Sequence, residues 1–88
     1  MRSLSAKQQE ILKLIVRGNP DGSFIDLDEL LERLSYKPTK DALQFSIRHL
    51  VKRELIEKKP TELRRNAKRR VFAPTMHGYA EYRDFSRS

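Results

Sequence analysis

Five basic residues fall within seven consecutive positions of the 88-residue sequence, namely Arg64, Arg65, Lys68, Arg69 and Arg70. The surrounding segment, residues 37–70, contains 12 basic and four acidic residues, whereas residues 1–36 contain five and six. The formal net charge of +7 is therefore concentrated in one part of the chain. Localised positive charge indicates a polyanionic partner or an acidic protein surface. The alternative is a solvated basic loop that contributes only solubility.

A second set of candidate side chains lies on the segment TKDALQFSIRHLVK, residues 39–52. At about 100° per residue, Leu43, Ile47 and Leu50 share one side of a helix and predict its buried stripe. The opposite side carries Asp41, Phe45, Arg48 and Lys52. Phe45 therefore points away from the predicted core, which favours contact with a partner. The alternatives are a core position in a tilted helix or a contact with the N-terminal arm.

Catalytic chemistry has little support in the sequence. His49 and His77 are the only histidines, and their separation matches no short metal-binding motif. The sequence contains no cysteine that could complete such a site. The segment NPDGS contains glycine but lacks the spacing and the lysine of a phosphate-binding loop. We therefore expect a protein that is not an enzyme, with no cofactor, no metal and no evident small-molecule ligand.

Length and composition predict a single domain over residues 1–88 with one modest core. The absence of cysteine excludes disulfides and fits a reducing compartment. The longest apolar run, around residues 11–16, contains Lys13 and is too short to span a bilayer. No signal-peptide pattern is visible at the start of the sequence. We therefore expect a cytoplasmic protein that does not bind membranes.

Capping signals predict where the helices begin. Ser5 with Gln8, and Asp26 with Glu29, have the spacing of capping boxes. The other two expected caps are Thr39 and Thr75. Gly18 is expected to end the first helix in a conformation with positive φ.

The strands are shorter and their signals are weaker. SFI, residues 23–25, is expected to form an edge strand, and LIEKK and RRVFA are expected to pair antiparallel. Between the latter two, PTELRRNAK has no glycine for a two-residue turn, so a long, mobile, basic loop is expected there. The predicted fold class is therefore α+β.

Two helices joined by a short turn and followed by a basic hairpin are typical of a winged helix-turn-helix. LSAKQQEILKLI resembles the opening helix of the N-terminal domain of LexA-type repressors, and IRHLVKRELIEK is similar to their exit from the recognition helix. The similarity covers roughly residues 4–73. Beyond it, VFAPTMHGYAEY resembles the segment after the wing in MarR-type regulators. One departure is Glu54, which stands where glycine is usual and would cost about 1 kcal/mol in a left-handed conformation.

The resemblance implies a winged-helix domain with a helix-turn-helix at about 27–54, a wing at about 55–73 and a C-terminal helix at about 75–86. It further implies sequence-specific binding of double-stranded DNA and transcription regulation, as a repressor that occupies an operator. The implied base-contacting residues are Thr39, Lys40, Asp41, Gln44, Phe45 and Arg48. The implied backbone and wing contacts are Lys37, Lys52, Arg64, Arg65, Lys68, Arg69 and Arg70.

Two alternatives remain open at this stage. The same fold also serves as a protein-interaction module, in which Phe45 and the basic wing would bind an acidic protein. Independently, the aromatic residues Tyr79, Tyr82 and Phe85 recur every three positions. They are expected either to pack on the first helix or to form the interface of a homodimer.

Overall fold

The structure, a computed structural model, describes residues 4–64 and 67–87, and at 62–64 and 67–68 it describes the backbone alone. The elements are α1 (Ala6–Arg17), β1 (Ile25–Asp26), α2 (Leu27–Arg33), α3 (Lys40–Lys52), β2 (Ile56–Lys58), β3 (Glu62–Arg64), β4 (Ala67–Arg69), β5 (Val71–Pro74) and α4 (Met76–Ser86). They form a small α+β domain, as the sequence predicts.

Hydrogen bonds between residues three apart begin each helix. In α1, the Ser5 hydroxyl accepts from the Gln8 N–H at 3.2 Å, and the Gln8 side-chain carbonyl accepts from the Ser5 N–H at 3.1 Å. Asp26 and Glu29 form the same reciprocal pair at α2. The four expected N-cap residues all occupy that position: Ser5, Asp26, Thr39 and Thr75. The predicted helix starts are confirmed.

The core consists of the apolar faces of the helices packed on the sheet. The buried residues of α1 and α3 are Ile11, Leu12, Ile15, Leu43, Ile47 and Leu50. This confirms the predicted stripe of α3. Burial of a side chain of this size contributes about 1.5–3 kcal/mol. In the part of the chain that the structure describes, no helix has the length and apolar character needed to cross a membrane.

Strand β5 lies at the centre of a three-stranded antiparallel sheet of order β1-β5-β2. Ile25 pairs with Phe72 on one side, and Lys58 pairs with Phe72 on the other. The predicted antiparallel pairing of residues 55–59 with 69–73 is therefore confirmed. The expected edge strand also forms, although it starts at Ile25 rather than Ser23.

The expectation of a long loop over residues 60–68 is wrong. Strands β3 and β4 pair antiparallel there, with Glu62 opposite Arg69 and Arg64 opposite Ala67. Only residues 65–66, which lie outside the described residues, connect the two strands. The prediction of a loop rested on the absence of glycine, but asparagine is also favoured in two-residue hairpin turns.

Helix α3 ends in a Schellman motif, with Glu54 in the position that favours glycine. The Leu55 N–H donates to the Leu50 carbonyl at 3.0 Å, and the Glu54 N–H donates to the Val51 carbonyl at 2.9 Å. Glu54 has φ 62°, the only positive φ of a non-glycine residue among those described. The motif turns the chain so that Leu55 is buried at the start of β2.

Replacement of Glu54 with glycine is expected to stabilise the protein by about 0.5–1 kcal/mol. The strain of a left-handed residue is about 1–2 kcal/mol, of which the greater freedom of glycine in the unfolded chain offsets a part. Urea unfolding followed by circular dichroism measures the change. Glu54→Ala is the matched control, because it removes the same side chain but keeps the strained backbone. An equal gain in both variants would contradict the conformational explanation.

A long-range contact joins α1 to the segment after α2. The Ser35 hydroxyl donates to one carboxylate oxygen of Glu10 at 2.6 Å, and the Ser35 N–H donates to the other at 2.5 Å. These two hydrogen bonds, the hydroxyl's first, lower the pKa of Glu10 below its ordinary value of 4.5. Because the pKa is lowered in the folded state, the contact stabilises the protein above pH 4.5, and this stabilisation is lost as the pH falls through the folded pKa.

We therefore expect the melting temperature of the unmodified protein to fall more steeply below about pH 4.5 than that of Glu10→Gln, which has no carboxylate to protonate. Thermal unfolding at a series of pH values measures this. Ser35→Ala keeps the carboxylate and the backbone donor, so its pH dependence should be intermediate. Identical acid sensitivity in all three proteins would show that this contact is not responsible.

Candidate functional site

An open groove of about 420 Å³ lies between α3 and the base of the β3–β4 hairpin. It is called the α3–hairpin groove below. Five cationic side chains line it: Lys40, Arg48, Lys58, Arg69 and Arg70. Two carboxylates, of Asp26 and Asp28, line the side formed by the start of α2. The groove therefore combines positive charge from two separate parts of the chain.

One side of α3 forms one wall of this groove. Lys40, Gln44 and Arg48 recur every four residues, so they form a ridge along one side of α3. Ile47, which also lines the groove, is buried and anchors this side of the helix in the core. Charged and amide groups are thereby held beside one another on a rigid element.

The outer side of α3 is a second, distinct surface. Phe45 is 69% exposed there, and Asp41 and Lys52 are exposed on the same side. None of these three residues lines the groove. Because Phe45 is so exposed, the alternative that it belongs to the core is wrong. An aromatic ring in this position is available to a partner.

The other wall comes from the hairpin and the strands next to it. Lys58 ends β2, Arg69 ends β4, and Arg70 is exposed between β4 and β5. Nη1 of Arg69 lies 2.6 Å from Oδ2 of Asp28, so one guanidinium is already bound to a carboxylate. The antiparallel pairing of β2 with β5 holds this wall opposite α3.

Several expected contact residues lie elsewhere or outside the described part. The Thr39 hydroxyl accepts from the Ala42 N–H at 3.1 Å as the cap of α3. The Lys37 ammonium donates to the Glu32 carbonyl at 3.4 Å, outside the groove. The candidate Arg65 lies outside the described residues, and the backbone alone is described at the candidates Arg64 and Lys68.

Neither Lys58 nor Asp28 was among the residues predicted to form the site. Lys58 belongs to a run of alternating character, and only the register opposite Phe72 brings it to the groove. Asp28 lies in the first turn of α2, where the helix dipole favours a carboxylate. Its contact with Arg69 joins residues far apart in the chain, and no local pattern signals such a contact.

The three aromatic residues of α4 have different environments. Tyr82 and Phe85 pack against the core, with an edge-to-face contact between their rings at 5.5 Å. Tyr79 is 50% exposed, and Met76, one turn earlier, is 89% exposed. An interface between two copies through the exposed side of this helix would therefore use Met76 and Tyr79.

The site can bind anions through charge-assisted hydrogen bonds, with a helix face and an aromatic ring beside it. Among the described residues, no group of three or more histidine, aspartate or glutamate side chains is placed to hold a metal ion. The molecule is thus a small α+β domain with a cationic groove next to an exposed helix.

No protein-family model, no curated protein and no solved structure matches the chain. What the site binds is therefore inferred from its own residues.

Proposed function

We propose that the protein is a winged helix-turn-helix protein that binds double-stranded DNA sequence-specifically and regulates transcription, as a repressor that occupies an operator. One observation carries the proposal: the cations of α3 and of the hairpin base converge in one groove beside an exposed helix face. A duplex offers a ladder of phosphates next to a groove wide enough for a helix. The cationic groove of the protein would then face the phosphates, and the exposed face of the helix would face the groove of the duplex.

The order of elements supports the fold part of the proposal. Helices α2 and α3 are separated by a short connection and are followed by β2, a basic hairpin and β5. In a helix-turn-helix, the second helix enters the major groove and its first residues contact base edges. Here α3 would be that helix, and β3 and β4 would form the wing.

Side-chain chemistry suggests a division of roles. Gln44 can bond to adenine, Arg48 can form two hydrogen bonds with guanine, and Phe45 can pack on a thymine methyl group. Lys40 and Arg70 carry charges that suit the phosphate backbone. Because backbone contacts supply affinity and base contacts supply specificity, the two groups of residues should respond differently to mutation.

A second candidate function is recognition of an acidic protein, and the exposure of Phe45 favours it. Aromatic side chains are enriched among the residues that dominate protein–protein binding energy, and Phe45 is 69% exposed. The cationic groove would then contact acidic side chains around an apolar anchor. The two functions differ in whether the protein binds a naked duplex.

Fluorescence anisotropy on a mixed-sequence duplex, with salt varied from about 50 to 200 mM, tests the proposal. We expect affinity that falls steeply with salt. Replacement of Lys40 and Arg70 together with alanine removes two groove cations and should flatten the slope of log affinity against log salt by about 1.8.

The control is the double replacement of Lys13 and Arg17 with alanine, which removes equal charge from α1, away from the groove. It should leave the slope unchanged. Equal effects of both double variants would mean that net charge, not the groove, attracts the duplex. No binding at low salt would reject the proposal and favour a protein partner.

A further inference from the structure

The α3–hairpin groove contains an ion pair between distant parts of the chain, Asp28 in the first turn of α2 and Arg69 at the end of β4. The guanidinium and carboxylate atoms are 2.6 Å apart. The side chains of Arg69 and Asp28 nevertheless remain 41% and 46% exposed. A phosphate from solution can therefore reach the pair and compete for it.

We infer that Asp28 limits the affinity of the groove for DNA by binding Arg69 in the free protein, so that Arg69 is not used as a phosphate contact. This inference rests on the proposed function and identifies a residue that tunes the affinity of the same site. Asp28 would act on DNA through Arg69, without touching a base itself.

Electrostatics favours the pair over its replacement by a phosphate. Asp28 lies at the start of a helix, where the dipole stabilises a carboxylate. A phosphate that displaced it from Arg69 would leave two negative groups side by side, since the helix keeps Asp28 in the groove wall. Arg69 can therefore stay with Asp28 while Lys40, Lys58 and Arg70 approach the backbone.

The consequence concerns the affinity that all sequences share. Phosphate contacts strengthen binding to every sequence alike, because they carry no direct information on the bases. A carboxylate that occupies one cation removes one such contact. It thus lowers the sequence-independent part of the affinity and leaves any base contacts of α3 unchanged. Asp28 therefore sets the strength and the salt dependence of binding, although the expected contact residues did not include it.

The test is the salt dependence of binding to a mixed-sequence duplex, measured by fluorescence anisotropy for five proteins: the unmodified chain, Asp28→Asn, Glu32→Gln, Arg69→Ala and the double variant Asp28→Asn/Arg69→Ala. Release of Arg69 in Asp28→Asn should steepen the slope by about 0.9. The loss of affinity between about 50 and 200 mM salt should then grow by about 3.5-fold. Glu32→Gln makes the same change in charge outside the groove and should leave the slope unchanged.

The double variant should return to the slope of the unmodified protein, because the released cation is then absent. Arg69→Ala alone should also leave the slope unchanged. If instead Arg69→Ala flattens the slope by about 0.9 and Asp28→Asn weakens binding, Asp28 orients Arg69 towards phosphate. That result overturns this inference and leaves the proposed function intact. If the unmodified protein binds no duplex, both the inference and the proposed function fail.

Discussion

Replacement of Gly78 with alanine is expected to destabilise the protein by about 3 kcal/mol, although alanine is the better helix former. A Cβ atom at this position would lie 2.0 Å from the carbonyl oxygen of Leu55 and 3.4 Å from Cδ1 of Leu12. The first distance is far below any van der Waals contact. Helix α4 can therefore keep its place only because residue 78 has no side chain.

Neighbouring hydrogen bonds prevent an easy adjustment. The Leu55 carbonyl accepts from the Thr75 N–H at 3.1 Å. The Thr75 hydroxyl donates to the Glu54 carbonyl at 2.5 Å and accepts from the Gly78 N–H at 3.0 Å. These hydrogen bonds join the segment that follows α3 to the start of α4. Moving the helix away from the new methyl group would break this junction.

Urea unfolding followed by far-ultraviolet circular dichroism measures the loss. The matched control is Ala80→Gly, an exposed position in the same helix, where only helix propensity changes and about 1 kcal/mol should be lost. If the close contact dominates, Gly78→Ala costs more than this control despite favouring the helix. A neutral or stabilising effect would show that α4 does not dock against Leu55 in this way.

The sequence predicted those features that arise from short-range interactions. A capping box needs only residues three apart, so Ser5 with Gln8 and Asp26 with Glu29 were visible before any fold was known. Such predictions succeed because the local hydrogen bonds are the same in every fold that contains the helix. The expectation that position 54 suits glycine came instead from the resemblance to LexA-type repressors, and Glu54 has positive φ there.

Features that depend on the arrangement of distant elements were not predictable in this way. The close approach of α4 to Leu55 depends on packing, which no local pattern around Gly78 signals. The hairpin of β3 and β4 was expected to be a loop, because the segment of residues 60–68 is too long for a two-residue turn and contains no glycine. Its pairing needs only a short connection, which the argument from glycine overlooked.

The same distinction between local and long-range features applies to the candidate site. Periodicity predicted that Phe45 would be exposed and that Ile47 would be buried, and the structure agrees. It also predicted that Arg48 would face outwards, but not that this residue would share a groove with Arg70. The groove exists because β2 and β5 pair in a register that places the hairpin base beside α3. A helical wheel does not contain this information.

Under the proposed function, the position of Arg48 predicts a large and selective effect on binding. Replacement with alanine is expected to cost about 1–3 kcal/mol on an operator selected from randomised duplexes, and to relax discrimination at one base pair. The reason is that Arg48 continues the Lys40–Gln44 ridge on a helix whose opposite face is anchored in the core, so its guanidinium would be held towards base edges. Anisotropy with the operator and its single-base variants measures both effects.

Arg70→Ala is the matched comparison, because it removes the same charge from the opposite wall of the groove. It should weaken all duplexes alike and flatten the salt slope by about one unit, as loss of a phosphate contact does. The difference between the two variants therefore separates base reading from backbone binding. If both weaken every duplex equally, Arg48 contacts phosphate as well, and α3 does not read the bases through this residue.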